Sequence, residues 1–423
     1  MTSLKFLGGC REVGRSGVLL DTGAEKILLD YGLKLSDPEA EDGIGRPEKV
    51  GLNLDGVFIT HCHLDHSGMV PRLYNRGYQG STYATATTFD LAKTLWEDSI
   101  KIAKMEGREQ DFLEDDLKKL ERNQRRVAVG QTVPVGNSNV SIYDAGHVPG
   151  SSSFLVDTGE KTVLYTGDIN TIDTRLMKGT NPNYPDVDVL VMETTYADIN
   201  HSPRKKLEKE FAEKVKERLA KDGTVIVPSF AIGRSQEMLL VLKEHGIDAP
   251  IYLDGMSVEA TKKILRYPEF LRYPDELKEA YHDAKTPADD DERKRALEGP
   301  SVIVTTAGML GGGPFAYYIK EIYDEENCSI LMTGYQVEGT AGRKLLDTGI
   351  YEPEKQGLDV QCYYELFDFS AHCGRKELFD YVEAIDPEKV VAMHGDEAEN
   401  FISDLKERGY DGVAPSNGEE VQI

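Results

Sequence analysis

The sequence predicts a mixed α/β fold. In the first 195 residues, short apolar runs alternate with glycine-containing turns, and from about residue 200 apolar strands alternate with amphipathic helices. The chain has 423 residues, 39% of them hydrophobic, which suffices for two or three domains with buried cores. Its apolar stretches are far shorter than the roughly 20 residues that cross a bilayer, and its first residues do not resemble a leader. We therefore expect a soluble, cytoplasmic protein.

The first half of the chain opens as a meander of strands separated by tight turns such as Asp21-Thr-Gly-Ala. A helix is expected to begin near Ser67, and a charged helical stretch is expected over Thr87–Arg126. Strands are predicted at Leu4–Gly9, Ser16–Asp21, Lys26–Asp30, Gly56–Thr60, Val140–Tyr143, Ser153–Val156, Thr162–Tyr165 and Val187–Met192. Polar residues follow several of these strands, where a rigid element and an exposed loop can place chemistry.

In the second half of the chain, strand patterns alternate with helix patterns, and this alternation predicts a parallel sheet. Its first helix starts at Ser202-Pro203 and repeats apolar residues every fourth position from Leu207 to Leu219. Strands are predicted at Thr224–Pro228, Ile251–Leu253, Ser301–Val304, Ser329–Met332, Val360–Leu366 and Lys389–Met393, and helices at Ser235–Glu244, Val258–Arg266 and Lys376–Glu383, before a final helix. The charged segment 270–298 is interpreted as a solvated helix and loop.

The charge balance argues against one class of nucleic-acid-binding protein. Forty-nine Lys and Arg against 74 Asp and Glu give a net charge of −25, so the chain is not coated in basic charge. Its five cysteines are scattered and form no C-x-x-C pair, so the sequence indicates neither a disulfide framework nor a cysteine zinc site.

The strongest local signal is the segment His61-Cys-His-Leu-Asp-His66, directly after a predicted buried strand. His61, His63, Asp65 and His66 can surround a compact metal site. Together with His147, Asp168 and His394, the chain offers seven metal-binding side chains. Because one metal ion takes only three or four protein ligands, two metal ions fit this set better than one.

These motifs identify a family resemblance. H-C-H-L-D-H, Gly146-His147 and Thr166-Gly-Asp168 resemble the metallo-β-lactamase fold. The later segments M-E-T-T-Y from Met192, D-F-S-A-H to His372 and A-M-H-G around His394 resemble motifs A, B and C of the β-CASP nucleases. The order of segments is similar to the endonuclease subunit of the cleavage and polyadenylation specificity factor and its archaeal homologues, in a form without KH domains.

The resemblance implies a four-layer αββα sandwich interrupted by an inserted parallel α/β domain. The expected boundaries are 1–197 for the first part of the metallo-β-lactamase domain, 198–362 for the β-CASP insert and 363–423 for the C-terminal part. The family pattern covers essentially the whole chain.

The resemblance also implies site residues. His61, His63, His147 and Asp168 would hold one zinc ion, and Asp65, His66, Asp168 and His394 the other, with Asp168 bridging. Asp65, His372 and Glu193 are expected to be catalytic, with His372 the general acid and Glu193 its orienting carboxylate. Asp30 would hold a ligand imidazole, although a plain turn aspartate is an equal alternative. Ser229, Arg234 and Ser370 would lie near RNA phosphates; a helix cap and a surface ion pair are comparable alternatives.

The expected function is zinc-dependent hydrolysis of single-stranded RNA, because RNA-directed members carry a histidine at motif C, as His394 does here. Endonucleolytic cleavage in mRNA 3′-end processing or transcription termination is favoured over 5′ to 3′ exonucleolytic decay. A small-ester metallohydrolase and a non-catalytic complex subunit are weaker alternatives. Cys373-Gly374 departs from the relatives, many of which are acidic at the second position. Given the charge of −25, tight RNA binding is expected to need a homodimer or a partner protein.

Overall fold

The computed structural model of the protein describes residues 2–35, 37–353 and 357–423. These residues form two units. Unit 1 comprises residues 1–172, 179–200 and 372–423, and unit 2 comprises residues 173–178 and 201–371. Among the described helices, none combines the length and apolar composition needed to cross a bilayer.

Unit 1 is built on two seven-stranded sheets. The first sheet has the strand order Glu420–Gln422, Ser3–Gly8, Gly17–Asp21, Lys26–Leu29, Gly56–Phe58, Thr82–Thr85 and Gln124–Val127. The second has the order Gly412–Val413, Lys389–Met393, Val189–Glu193, Thr162–Tyr165, Ser152–Asp157, Ser138–Asp144 and Thr132–Val135. The three strands beginning at 162, 189 and 389 are mutually parallel, so their carboxyl ends meet at one edge.

The core of unit 1 lies between the two sheets. Strand side chains alternate between the two faces of a sheet, and most of these strands bury an apolar side chain at every second residue. The core includes Leu4, Phe6, Val18 and Leu20 from the first sheet and Val140, Ile142, Phe154 and Val156 from the second. This periodicity explains why the two sheets pack face to face.

Helices cover the outer faces. The helices Arg375–Ile385 and Ala398–Glu407 pack on the outer face of the second sheet and form a second core with it. They contribute Leu378, Val382, Phe401 and Leu405. Ala86–Met105 packs beside the last two strands of the first sheet. The other helices of unit 1 are Leu64–Ser67, Val70–Asn75 and Glu114–Asn123. The expected four-layer αββα arrangement is confirmed.

Unit 2 has a five-stranded parallel sheet. Its order is Ile251–Asp254, Ser301–Thr305, Thr224–Pro228, Ser329–Met332 and Tyr363–Leu366. Its helices are Arg204–Leu219, Arg234–Glu244, Met256–Ile264, Pro274–Asp283, Asp290–Ala296, Phe315–Ile322 and Ala341–Thr348. Three strands of this sheet, Thr224–Pro228, Ser301–Thr305 and Ser329–Met332, consist only of apolar residues, Ser and Thr. All of these residues are buried, as expected for a sheet that is covered on both faces. The expected parallel α/β insert is confirmed.

The unit boundaries differ from those expected at 197/198 and 362/363. Tyr363–Leu366 pairs with Ser329–Met332, so this strand belongs to the sheet of unit 2. Unit 2 accordingly continues to Ala371, and its long segment begins at His201. The sequence pattern identifies a strand over 360–366 but does not reveal which strand it joins.

A short early segment, Asp173–Lys178, also belongs to unit 2. The Glu237 carboxylate is 3% exposed and accepts hydrogen bonds from the backbone N–H groups of Arg175, at 3.0 Å, and Leu176, at 2.6 Å. The backbone N–H of Arg272 donates to the carbonyl of Leu176 at 2.9 Å. The sequence pattern gives no sign of this association.

The predicted helical stretch 87–126 is divided in the structure. Ala86–Met105 ends before Gly107, whose φ of +67° is the left-handed conformation that commonly follows a helix. A second helix, Glu114–Asn123, leads into the edge strand Gln124–Val127. The charged segment 270–298 contains two helices, where one helix and a loop were expected.

Candidate metal centre

The candidate ligands follow strand ends in unit 1. The segment from His61 follows Gly56–Phe58 and enters the short helix Leu64–Ser67. His147 follows Ser138–Asp144, Asp168 follows Thr162–Tyr165, and His394 follows Lys389–Met393. The structure brings together all seven side chains predicted from the sequence.

The first ligand set has the spacing that a zinc ion requires. Ligand atoms of His61, His63, His147 and Asp168 all lie within 4.8 Å of one another. His63 Nδ1 is 3.1 Å from His61 Nε2 and 3.3 Å from His147 Nε2, and Asp168 Oδ2 is 3.5 and 3.6 Å from those two Nε2 atoms. Four ligands at about 2.0–2.1 Å from zinc form a tetrahedron with edges of about 3.3–3.4 Å. These residues therefore fit a zinc ion.

The second ligand set surrounds the other oxygen of Asp168. Asp168 Oδ1 is 3.1 Å from His66 Nε2 and 3.7 Å from His394 Nε2. His394 Nε2 is also 3.7 Å from Asp65 Oδ2. Each carboxylate oxygen of Asp168 thus faces a different group of histidines.

Two buried atoms of the second set contact each other. His66 Nε2 and Asp168 Oδ1 lie 3.1 Å apart and have no other hydrogen-bond partner among the described residues. They form an ion pair when the His66 ring carries a proton on Nε2. A metal ion held by both atoms would take the place of that proton.

The charges of three candidate ligands suit metal binding. Burial raises the pKa of Asp168, but His66, His394 and His61 outweigh burial and lower this pKa well below its usual range. Burial lowers the pKa of His61 and His63, which keeps both rings neutral. Burial also lowers the pKa of His66, but Asp168 and Asp30 outweigh burial and raise it well above its usual range. Metal ligands must be deprotonated carboxylates and neutral imidazoles, so the His66 ring has to release a proton when a metal ion binds.

Three ligand rings are fixed through their second nitrogen. His66 Nδ1 is 2.7 Å from the Asp30 carboxylate, which is fully buried and also accepts from the Thr60 backbone N–H at 2.7 Å. His61 Nδ1 is 3.1 Å from Thr60 Oγ1, and His394 Nδ1 is 2.6 Å from Ser16 Oγ. Asp30 has the position expected for it. Thr60 and Ser16 were missed, because a hydroxyl near a turn carries no distinctive sequence signal.

His372 and Glu193 form a pair next to the cluster. His372 Nδ1 lies 3.0 and 3.1 Å from the two Glu193 oxygens, and Glu193 Oε1 also accepts from the Ile169 backbone N–H at 2.7 Å. Burial lowers the pKa of His372, but Glu193, with smaller effects from Asp168 and Asp65, outweighs burial and raises it to about 9. The ring is therefore protonated at neutral pH. Gly374, where an acidic residue is expected from the family pattern, occupies the N-cap position of the helix Arg375–Ile385.

The three candidate phosphate contacts lie in unit 2. Ser229 Oγ is 3.0 Å from Thr333 Oγ1, and Arg234 donates to the Thr333 carbonyl, so the structure joins these two residues at one position. Ser370 contributes its carbonyl, which accepts from Arg204 at 3.2 Å. All three residues are at most 9% exposed.

Comparison with known families matches most of the chain. Residues 235–345 match the Beta-Casp domain, and residues 357–415 match the Zn-dependent metallo-hydrolase RNA specificity domain. Residues 10–221 match the model described as anti-Pycsar protein Apyc1. A solved structure of a protein of unknown function from Enterococcus faecalis has a TM-score of 0.63 over 100% of both chains at 14% identity, which supports the fold alone.

Similar curated proteins are archaeal. Probable RNase MJ4 of Methanocaldococcus jannaschii is 37% identical, covering 99% of both chains. RNase aCSPSF2 of Saccharolobus solfataricus is 38% identical over 99% of this chain and 85% of its own length. Transcription termination factor FttA of M. jannaschii is 34% identical over 93% of this chain and 67% of its own length. The buried His/Asp cluster is a candidate metal-binding site. The chain therefore belongs to the β-CASP family of metal-dependent hydrolases that includes these archaeal ribonucleases.

Proposed function

We propose that the protein is a two-zinc ribonuclease that hydrolyses phosphodiester bonds in single-stranded RNA. The observation that carries the proposal is the carboxylate of Asp168, whose two oxygens face two different ligand sets. His61, His63 and His147 would complete one set, and Asp65, His66 and His394 the other. When bound, two zinc ions activate water and neutralise charge on the scissile phosphate.

His372 would protonate the departing oxygen. Glu193 binds its Nδ1, so a proton delivered by this ring comes from Nε2. The carboxylate holds the ring in its protonated form at neutral pH, as a general acid requires. Asp65 would act as a metal ligand and would place its carboxylate beside the reacting phosphate. Asp30 would hold the ring of His66, which fixes the direction of its Nε2.

Endonucleolytic cleavage in 3′-end formation or termination is the favoured mode. Full-length similarity to two proteins named RNases supports ribonuclease activity, and similarity to FttA supports a role at transcript ends. Ser229, Arg234 and Ser370 are proposed RNA-phosphate contacts.

The net charge of −25 opposes the binding of polyanionic RNA. We therefore propose that the form that binds RNA tightly is a homodimer or a complex with a processing partner.

A circular RNA separates the two modes, because it has no end for an exonuclease. We expect the purified protein to linearise circular single-stranded RNA and to cut linear RNA internally whether its 5′ end carries one phosphate or three. Products should carry a 5′-phosphate and a 3′-hydroxyl. Intact circles together with mononucleotides from the 5′-monophosphate RNA alone would indicate a 5′ to 3′ exonuclease instead.

The metal assignment is tested by His394→Ala. Loss of this ligand should abolish cleavage and reduce bound zinc from two ions to one per chain, measured by elemental analysis. His282→Ala is the matched control, because the His282 side chain is 89% exposed on a helix of unit 2. Full activity with unchanged zinc content in the His394 variant would reject the two-metal assignment.

A further inference from the structure

Ser16 lies at the junction of two candidate ligands of the second zinc ion. We propose that Ser16 is a positioning residue that fixes the ring of His394 and thereby sets the affinity of this ion. The inference rests on the function proposed above and extends it to a residue outside the ligand sets. Ser16 is fully buried, and His394 is 2% exposed.

The first argument concerns the His394 ring. Ser16 Oγ lies 2.6 Å from Nδ1, while Nε2 points at Asp65 and Asp168. For Nε2 to offer its lone pair to a metal ion, the ring proton must be on Nδ1. The Ser16 hydroxyl can accept that proton in a hydrogen bond, which selects the required tautomer and fixes the plane of the ring.

The second argument concerns the His394 backbone. Its φ is +49°, an uncommon conformation for a residue with a side chain. Its N–H donates to the carbonyl of Gly9 at 2.5 Å, and its carbonyl accepts from the backbone N–H of Thr194 at 3.2 Å. These bonds fix the Cα position but leave the ring free to rotate about its side-chain bonds. Rotation of the ring is limited instead by Ser16 and by the His66 ring, whose centroid is 4.7 Å away.

The third argument is that Ser16 also contacts Asp65. The Ser16 backbone N–H donates to the carbonyl of Asp65 at 2.8 Å, and the Ser16 carbonyl accepts from the N–H of Gly32 at 2.8 Å. Gly32 must be glycine for this packing, since a Cβ there would lie 1.7 Å from the Asp65 carbonyl oxygen. One residue therefore connects two ligands that are far apart in the sequence.

His66 and His394, the two histidines of the second ligand set, differ in the group that contacts their Nδ1 atom. His66 is held by the carboxylate of Asp30, whereas His394 is held by a neutral hydroxyl. A carboxylate partner both orients a ring and raises its basicity, while a hydroxyl only orients it. The role of Ser16 is therefore geometric, and a side chain that restores the hydroxyl should restore zinc binding.

Ser16→Ala isolates the hydroxyl, because both backbone hydrogen bonds remain. Zinc affinities would be measured by competition with a chromophoric chelator, and the site environment by visible absorption of the cobalt-substituted protein. We expect one zinc ion to bind about 10–100-fold more weakly and the other to bind as in the wild type. Ser301→Ala is the control, since this buried serine of unit 2 donates to the Ala296 carbonyl at 2.6 Å and should leave both affinities unchanged.

A double variant separates positioning from general destabilisation. In a His394→Ala background, which should bind one zinc ion, Ser16→Ala should leave the affinity for that remaining ion unchanged, because the ring that Ser16 orients is absent. Ser16→Thr and Ser16→Val provide a second pair, nearly identical in shape, of which only the threonine should bind the second ion well. This comparison holds even if alanine at position 16 impairs folding.

Two results would overturn the inference. One is wild-type affinity for both zinc ions in Ser16→Ala, and the other is a loss of affinity for the remaining ion when Ser16→Ala is added to His394→Ala. If His394→Ala itself retains both ions, the two-metal assignment fails and the role of Ser16 fails with it. If His394→Ala loses an ion but Ser16→Ala does not, only the Ser16 inference is rejected.

Discussion

Replacing Glu193 with glutamine should change the pH dependence of cleavage. In the wild type, Glu193 raises the pKa of His372 to about 9, so about 90% of the rings are protonated at pH 8. A glutamine can still accept from the Ile169 N–H, but its amide would donate to His372 Nδ1 and favour the neutral ring. We expect the pKa of His372 to return to the ordinary value of 6.5 or below.

The magnitude follows from the protonated fraction. With a pKa of about 6.5, about 3% of the rings are protonated at pH 8, so the variant should be about 30-fold slower than the wild type. At pH 6 about three quarters are protonated, and the difference should shrink to about 1.3-fold. The fall in pKa from about 9 corresponds to roughly 3 kcal/mol of interaction between the two protonation states.

The assay is single-turnover cleavage of a labelled single-stranded RNA at saturating enzyme, from pH 6 to pH 8.5. Glu160→Gln is the matched control, because Glu160 is exposed on a turn of unit 1 and should follow the wild-type profile. Zinc content must be equal in all three proteins. A constant ratio between variant and wild type across this range would refute the role of His372 as a general acid tuned by Glu193.

Two further predictions concern buried carboxylates. Asp30→Asn should weaken zinc binding by about 10–100-fold through His66, measured by chelator competition, and unchanged affinity would show that Asp30 serves only the fold. Glu237→Gln should destabilise the protein by about 3 kcal/mol in urea unfolding at pH 7, because Arg204 and two backbone N–H groups lose a buried charge partner. Burial raises the pKa of Glu237, but these partners outweigh it and lower the pKa, so this contribution is present above about pH 5 and is lost at lower pH. A difference between the two proteins that stays constant from pH 7 to pH 4 would contradict this prediction.

The clustering of the candidate metal ligands could be predicted from the sequence because most of their signal is local. Four of them lie within six residues after a buried strand, and a strand end constrains where short side chains can point. The pairing of His372 with Glu193 depends on the family resemblance, since the two residues are 179 positions apart. The structure adds the distances that show how one carboxylate faces both ligand sets.

The missed features depend on long-range pairing. Ser16 and His394 are 378 positions apart, and nothing local distinguishes this serine from one in an ordinary turn. The strand over 363–366 was recognised, but its partner sheet decides its domain, and strand propensity carries no information about the partner. The break in the helical stretch at Gly107 was overlooked because charged residues continue on both sides.

The segment Asp173–Lys178 bears on how this protein can be divided into fragments. A fragment cut at 201 and 371 would contain the whole parallel sheet but leave the Glu237 carboxylate without the Arg175 and Leu176 N–H groups. Such a fragment would carry an under-compensated buried charge and should fold poorly. The insert is therefore not a detachable module.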